Sequence, residues 1–179
     1  MVYSPDDADR LAALVNYGVL DTDFEEAYDC ITRLSARIFH APISLVSLVD
    51  EKRQWFKSAH GLDARETPRE YAFCAHAIKQ RDVFIVPDAT KSDVFKDNPL
   101  VTDAPNVIFY AGAPLVNSDG FALGTLCVID NQPREEGMSE EDQDMLKDFA
   151  TLVVQLLEQR KEIRTLRREH NTETSLAFA

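Results

Sequence analysis

The stretch Val107–Asp130, VIFYAGAPLVNSDGFALGTLCVID, consists of two apolar, β-rich runs joined by the turn-forming residues Asn117–Gly120. Asp-Gly between two such runs is a strong hairpin signal, because glycine accepts the positive φ that tight turns between antiparallel strands require. An antiparallel sheet is therefore the expected centre of the fold. Upstream, ISLVSLV from Ile43 and QWFKSA from Gln54 form a second pair of β-rich runs around the polar DEKR at 50–53. VFIVPDA from Val83 adds a short strand ended by Pro87, for a total of five or six strands.

Helices are expected before, between and after these strands. SPDDADRLAALVNYGV has Ser4 as cap, Pro5 at the first helical position, an apolar stripe of Leu11, Leu14 and Val15, and Gly18 as stop. Thr22 and Glu25 have capping-box spacing ahead of Phe24, Ala27, Ile31, Leu34 and Ile38, which recur at helical intervals until Pro42 ends the run near His40. Thr67 and Glu70 repeat that spacing, with Pro68 inside, and predict a helix through YAFCAHAIKQ. A final long helix starts at Ser139, capped through Asp142, and runs to about His170, with NTETSLAFA as a loose end. The loop at 90–106 exceeds ordinary connections, and loops of that length are commonly functional.

The chain's 179 residues, 45% of them apolar, fit one α+β domain with a single sizeable core. A formal charge of -12 opposes the counterion-release term that drives binding to nucleic acid, so nucleic acid is a poor partner. No apolar run approaches the roughly 20 residues that span a bilayer, and the first ten residues lack a signal-like apolar core, so a cytoplasmic, membrane-free protein is expected. Cys30, Cys74 and Cys127 are far apart and odd in number, which favours reduced thiols over a disulfide framework.

Several ordered motifs, SLVDEKRQWFKSAHGL, ETPREYAFCAHAI, VPDATKSDVFKDNPLV, FYAGAPL and LGTLCVIDNQPR, closely resemble the GAF domains found N-terminal in bacterial sensor histidine kinases and diguanylate cyclases. The resemblance covers roughly Asp21 to Arg160, leaving an N-terminal helix at 1–20 and, at 161–179, the end of a signalling helix and a tail. It implies a central antiparallel sheet with the terminal helices on one face and a ligand pocket on the other. It also implies sensing in signal transduction, a two-component or cyclase output as partner, and no catalysis. The Asn-Lys, Phe, Asp-Glu pattern of cyclic-nucleotide-binding members has no counterpart, and Ala75 interrupts the Cys-His pair typical of bilin-binding members. Free methionine sulfoxide reductases of this fold use cysteines in other surroundings.

On a helix, residues two apart point about 200° from each other, so Cys74 and His76 do not form a local thiolate and base. The alternative to a sensor is thiol redox chemistry at Cys74 or Cys127; the other is a ligand-free dimerisation module. Neither cysteines nor histidines have compact zinc spacing, and no cofactor is predicted. In the implied arrangement the expected pocket residues are Trp55, Phe73, Cys74, His76, Asp88, Phe95, Phe109 and Tyr110, with Arg53 as a further orienting contact for an unknown small ligand. Trp55-Phe56 and Phe109-Tyr110 are adjacent pairs, of which only one member each can face the pocket. The small residues Ala111, Gly112 and Ala113 call for either a closely packed helix or a ligand over the strand. Met145, Phe149, Leu152, Leu156, Gln159, Ile163 and Leu166 alternate spacings of four and three, the seam of a coiled coil, and predict a parallel homodimer.

Overall fold

In the computed structural model, which describes residues 7–177 and their side chains through His170, six strands form one antiparallel sheet in the order β3-β2-β1-β6-β5-β4. The strands are β1 (Ile43–Val49), β2 (Arg53–His60), β3 (Glu66–Pro68), β4 (Phe84–Val86), β5 (Phe109–Val116) and β6 (Ala122–Asp130). The two expected hairpins, β1-β2 and β5-β6, are both present, and the antiparallel β1-β6 pairing joins them, with Leu45 opposite Cys127. Gly120 closes the second hairpin at φ +87, the conformation its position demands.

Side-chain alternation divides the sheet into two apolar faces. Val46, Leu48, Trp55, Phe109, Ala111, Leu126 and Val128 pack under α1 (Asp7–Tyr17), α2 (Glu26–Ile38) and α5 (Glu140–Ala177). Ile43, Leu45, Phe56, Tyr110, Cys127 and Ile129 face a cover built from 61–108, which contains α3 (Cys74–Ala77) and α4 (Pro99–Thr102). The expected α+β order with terminal helices on one face is thus present. Among the described residues no helix is long and apolar enough to cross a membrane.

The helix ends follow their sequence cues unevenly. Gly18 ends α1 at φ +53, and the Ser139 hydroxyl accepts from the Asp142 backbone N–H at 3.1 Å, as the cap requires. The Ser4 and Pro5 cap of α1 lies outside the described residues. In α1, Tyr17 turns into the core and Val15 outward, with 63% exposure. No side-chain cap opens α2, because Thr22 bonds the Val19 carbonyl and Glu25 serves another partner. The helix expected from Thr67 is absent: 66–68 pair with β2 as an edge strand, and only a single turn, α3, follows. In place of a loose end after His170, α5 continues to Ala177.

Buried Arg10 fixes α1 to the sheet by donating to the Val49 carbonyl at 2.6 Å and to Asp7 at 2.8 Å. Arg69 adds two hydrogen bonds to Asp7 from the cover, at 2.8 and 3.0 Å. The Arg69 hydrogen bonds lead in holding the Asp7 carboxyl near a pKa of about 2, against the opposing effect of burial and with help from Arg10. Because the folded value is depressed, this contribution to stability is complete above the unfolded carboxyl value and disappears as pH falls from about 4 toward 2. Asp7 is about half exposed, which reduces the effect to about 1 kcal/mol. Asp7→Asn is therefore expected to lower urea stability near pH 7 and to match the unsubstituted protein near pH 2.

Candidate sensory face and signalling helix

The second face of the sheet is closed by rings. Phe73 stacks on Phe95 with centroids 4.0 Å apart and on Tyr110 at 5.2 Å, while His76 meets the Phe95 ring at 4.9 Å and Phe84 at 6.4 Å. Phe73, Phe95 and Tyr110 are all at most 4% exposed, so these expected pocket residues pack on one another. A cleft of about 460 Å³ lies elsewhere, at the β1-β2 turn, lined by residues including Lys52, Arg53, Glu66 and Thr67.

Four of the expected pocket residues, Phe73, Cys74, Phe95 and Tyr110, come together here, with half-buried His76 at their edge. Burial lowers the His76 pKa, with a smaller contribution from Lys79. Trp55 and Phe109 do not join them. Both point to the opposite face and pack in the core under the helices, so Phe56 and Tyr110 are the members of their pairs that face the cover. Asp88 is a cap, accepting from the Thr90 N–H at 3.0 Å and hydroxyl at 2.6 Å. Arg53 is tied in ion pairs with Asp21, Asp50 and Glu66 at the sheet edge.

Below the rings lies a small polar centre. The Cys74 sulfur accepts from Thr125 Oγ1 at 3.1 Å and from Tyr110 Oη at 3.3 Å, and Cys127 lies in the same buried cluster. Burial pushes the Cys74 pKa up, but hydrogen bonds from Cys127, Ser47, Thr125 and Tyr110 outweigh it and bring it below the ordinary thiol value. Cys127 moves up, because its hydrogen bond to Cys74 and its burial both favour the protonated thiol. Ser47, Thr125 and Cys127 lie within the quoted motifs, but their spacing does not show that they meet Cys74; that relation exists only through the β1-β6 register and the turn of α3 above it.

The small residues of β5 have an explanation within the strand. A methyl group at Gly112 would lie 2.3 Å from Tyr110 Oη and within 3 Å of its ring, so glycine makes room for the Tyr110 side chain on the same face. Gly112→Ala is expected to displace that ring and cost about 1–3 kcal/mol of stability, measured by urea unfolding.

On the other face, α5 is fastened where its buried stripe ends. Glu158 Oε1 accepts from the Tyr17 hydroxyl at 2.7 Å and from the Ser118 hydroxyl and N–H at 3.1 and 3.3 Å. Glu25 binds both Arg160 and the fully buried Lys57, the latter at 2.7 Å, and Lys57 also donates to the Asp23 carbonyl at 2.5 Å. Arg164 lies over Gly18, where any side chain would overlap its guanidinium.

A sheet with three helices on one face, a looped cover on the other and a long terminal helix is the arrangement of a known family, and residues 23–157 match its sequence pattern, described as GAF domain. The chain belongs to the GAF domain family. It is 44% identical over 152 residues to a Pseudomonas aeruginosa protein named cyclic di-GMP phosphodiesterase PA2567, covering 85% of this chain but 26% of that protein. The chain thus spans about a quarter of that relative's length. Among solved structures, the GAF domain of an Acinetobacter phosphoenolpyruvate-protein phosphotransferase superposes with a TM-score of 0.62 at 15% identity, over 88% of this chain and 95% of that one. A domain of a two-component sensor histidine kinase protein described as putative, from Sinorhizobium meliloti, gives 0.59 at 17% identity, over 83% and 99%. At such identities these two structures establish the shared GAF fold.

Along α5 the GAF domain presents two stripes. Leu146, Ala150, Val153 and Leu157 face the sheet at no more than 3% exposure, whereas Leu152, Ile163 and Leu166 of the expected seam are 47–57% exposed. Met145, Phe149 and Leu156 lie between, partly buried against the core. Outside them, Leu34 and Ile38 of α2 are each 41% exposed, so the α2 stripe read as core faces outward in part.

Proposed function

We propose that this GAF domain is a cytoplasmic sensory module of signal transduction that works as a parallel homodimer and passes its signal along α5. The single observation behind this reading is the apolar seam in which Leu152, Ile163 and Leu166 stay open to solvent, with Leu156 partly buried between them, while a separate stripe of the same helix holds the domain together. Exposed leucine and isoleucine at four-and-three spacing suit a partner helix of the same kind. The cover 61–108 is the input side of this reading: a small ligand would enter by displacing rings, or a signal would act on the packing itself. The name of the Pseudomonas aeruginosa relative and the likeness to a sensor-kinase domain support an output partner that is a kinase or an enzyme of cyclic dinucleotide turnover.

Sedimentation equilibrium at micromolar concentration tests the dimer. Leu152→Asp with Ile163→Asp alters only exposed positions, so the fold is retained while the dimer is weakened by more than about 100-fold. A monomeric parent protein, or an unchanged dimer in the folded double variant, would refute this reading. An enzyme reading has less support, because the thiol with the most donors directed at it, Cys74, lies 2% exposed beneath the rings of Phe73, Phe95 and Tyr110.

A further inference from the structure

The Cys74–Cys127 centre has more hydrogen-bond donors directed at one sulfur than packing needs. A structural buried cysteine behaves as a small apolar side chain with a weak S–H donor. Cys74 instead accepts from the Tyr110 and Thr125 hydroxyls, which also lie 3.4 Å from each other, and Cys127 is buried in the same cluster, two residues along β6 from Thr125. Such a set of donors stabilises a sulfur that carries negative charge.

The second thiol is the one a reactive cysteine requires. Cys127 is held on β6, two residues from Thr125 and on the same side of the strand, while Cys74 begins the single turn of α3 directly above. The sheet position is rigid, being paired on both sides by β1 and β5. The cover position is not part of any long element: a three-residue turn precedes α3 and an irregular segment follows it. The backbone N–H hydrogen bonds of residues 72–80 all stay within 69–80, so this segment opens as a unit without breaking the sheet, and such an opening gives a small solute access to the buried pair.

We propose that Cys74 and Cys127 form a thiol switch in which a hydroperoxide converts the pair to an intramolecular disulfide. The Cys74 thiolate attacks the outer peroxide oxygen, the O–O bond breaks, and the leaving oxygen departs as an alcohol, or as water when the oxidant is hydrogen peroxide. Cys74 is then a sulfenic acid. The Cys127 sulfur displaces its hydroxyl as a second molecule, water, and the S–S bond forms. Two thiols and one hydroperoxide thus give one disulfide, one alcohol and one water, with both electrons taken by the peroxide. The bond ties α3 to β6 and draws Cys74 away from Tyr110 and Thr125, so the ring stack on Tyr110 shifts with it.

The test uses the full chain carrying Cys30→Ser, which removes the exposed thiol on α2. After treatment with hydrogen peroxide, free thiols are alkylated under denaturing conditions and the digest is read by mass spectrometry. The expected result is a linked peptide pair containing Cys74 and Cys127, with alkylation lost at both positions together. Added Cys127→Ser leaves Cys74 as a sulfenic acid that dimedone captures, and added Cys74→Ser leaves Cys127 fully alkylatable. If either variant fails to fold, the intact pair still decides the matter. Linked protein as a share of oxidised Cys74 is expected to fall about tenfold when oxidation is carried out in urea, where the thiols are held only by the chain between them. An equal share in both conditions, or independent oxidation of the cysteines without linkage in the folded protein, overturns the proposal.

Discussion

Leu157→Ala is expected to lower the unfolding free energy by about 2–5 kcal/mol, the cost of deleting buried methyl groups together with the cavity they leave. Leu157 is 0% exposed and is the last inward residue of α5 before the helix reaches Glu158 and Arg160. Its side chain belongs to the core cluster that also holds Tyr17, Val19 and Leu123, so the site is bounded by α1 and the sheet and has little room to collapse. Leu152→Ala removes the same atoms from the same helix at a position 47% exposed, and there the change in monomer stability is expected to stay within about 0.5 kcal/mol. Urea unfolding at low protein concentration separates the two. Equal costs at both positions would mean that α5 does not present two distinct stripes.

Glu25→Gln is expected to destabilise the domain by about 2–3 kcal/mol, because it leaves the fully buried Lys57 and the neighbouring Arg160 without a carboxylate. The figure lies below that for a wholly buried pair because Glu25 itself is 43% exposed. Burial leads in lowering the Lys57 pKa, with Glu25 acting in the opposite direction, so the substitution also drives Lys57 toward its neutral form. Lys57→Met in the same background should recover most of the loss, since methionine fills a comparable volume without a charge. A thermal-melt cycle over the two single variants and the double variant measures the coupling. Additive effects would show that Glu25 does not compensate Lys57.

Where the sequence was periodic, it was readable. The two hairpins, the second helix and the long final helix carry repeated spacing over many residues, and each is present. The motifs also suffice for the GAF resemblance that the family match bears out. The region that failed is the one governed by single contacts. Thr67-Pro68-Arg69-Glu70 has the spacing of a capping box, yet β2 offers an unpaired edge, and the strand pairing of 66–68 prevails over a helix start. The parity of β2 was hidden for a similar reason: Gln54, Lys57 and Ser58 place polar groups on both faces, so alternation did not show whether Trp55 or Phe56 meets the cover. A register shift between Val46 and Ser47 adds to that ambiguity. Lys57 had no helical or strand pattern to mark it as buried, because its partner Glu25 lies 32 residues away.

The course of α5 beyond Arg164 has a mechanical consequence. From Thr165 to Ala177 the helix extends about 20 Å at 1.5 Å per residue, past the last residue that meets Gly18. It is a lever whose fulcrum is the group of charged contacts at Glu158, Arg160 and Arg164. A rotation of about 10° there, small enough to be absorbed by side chains, swings the far end by about 3 Å. That distance is a large part of the spacing between neighbouring side-chain rows on a helix surface. A change too slight to alter the fold of the sheet thus carries the tip about half the way from one row of facing residues to the next.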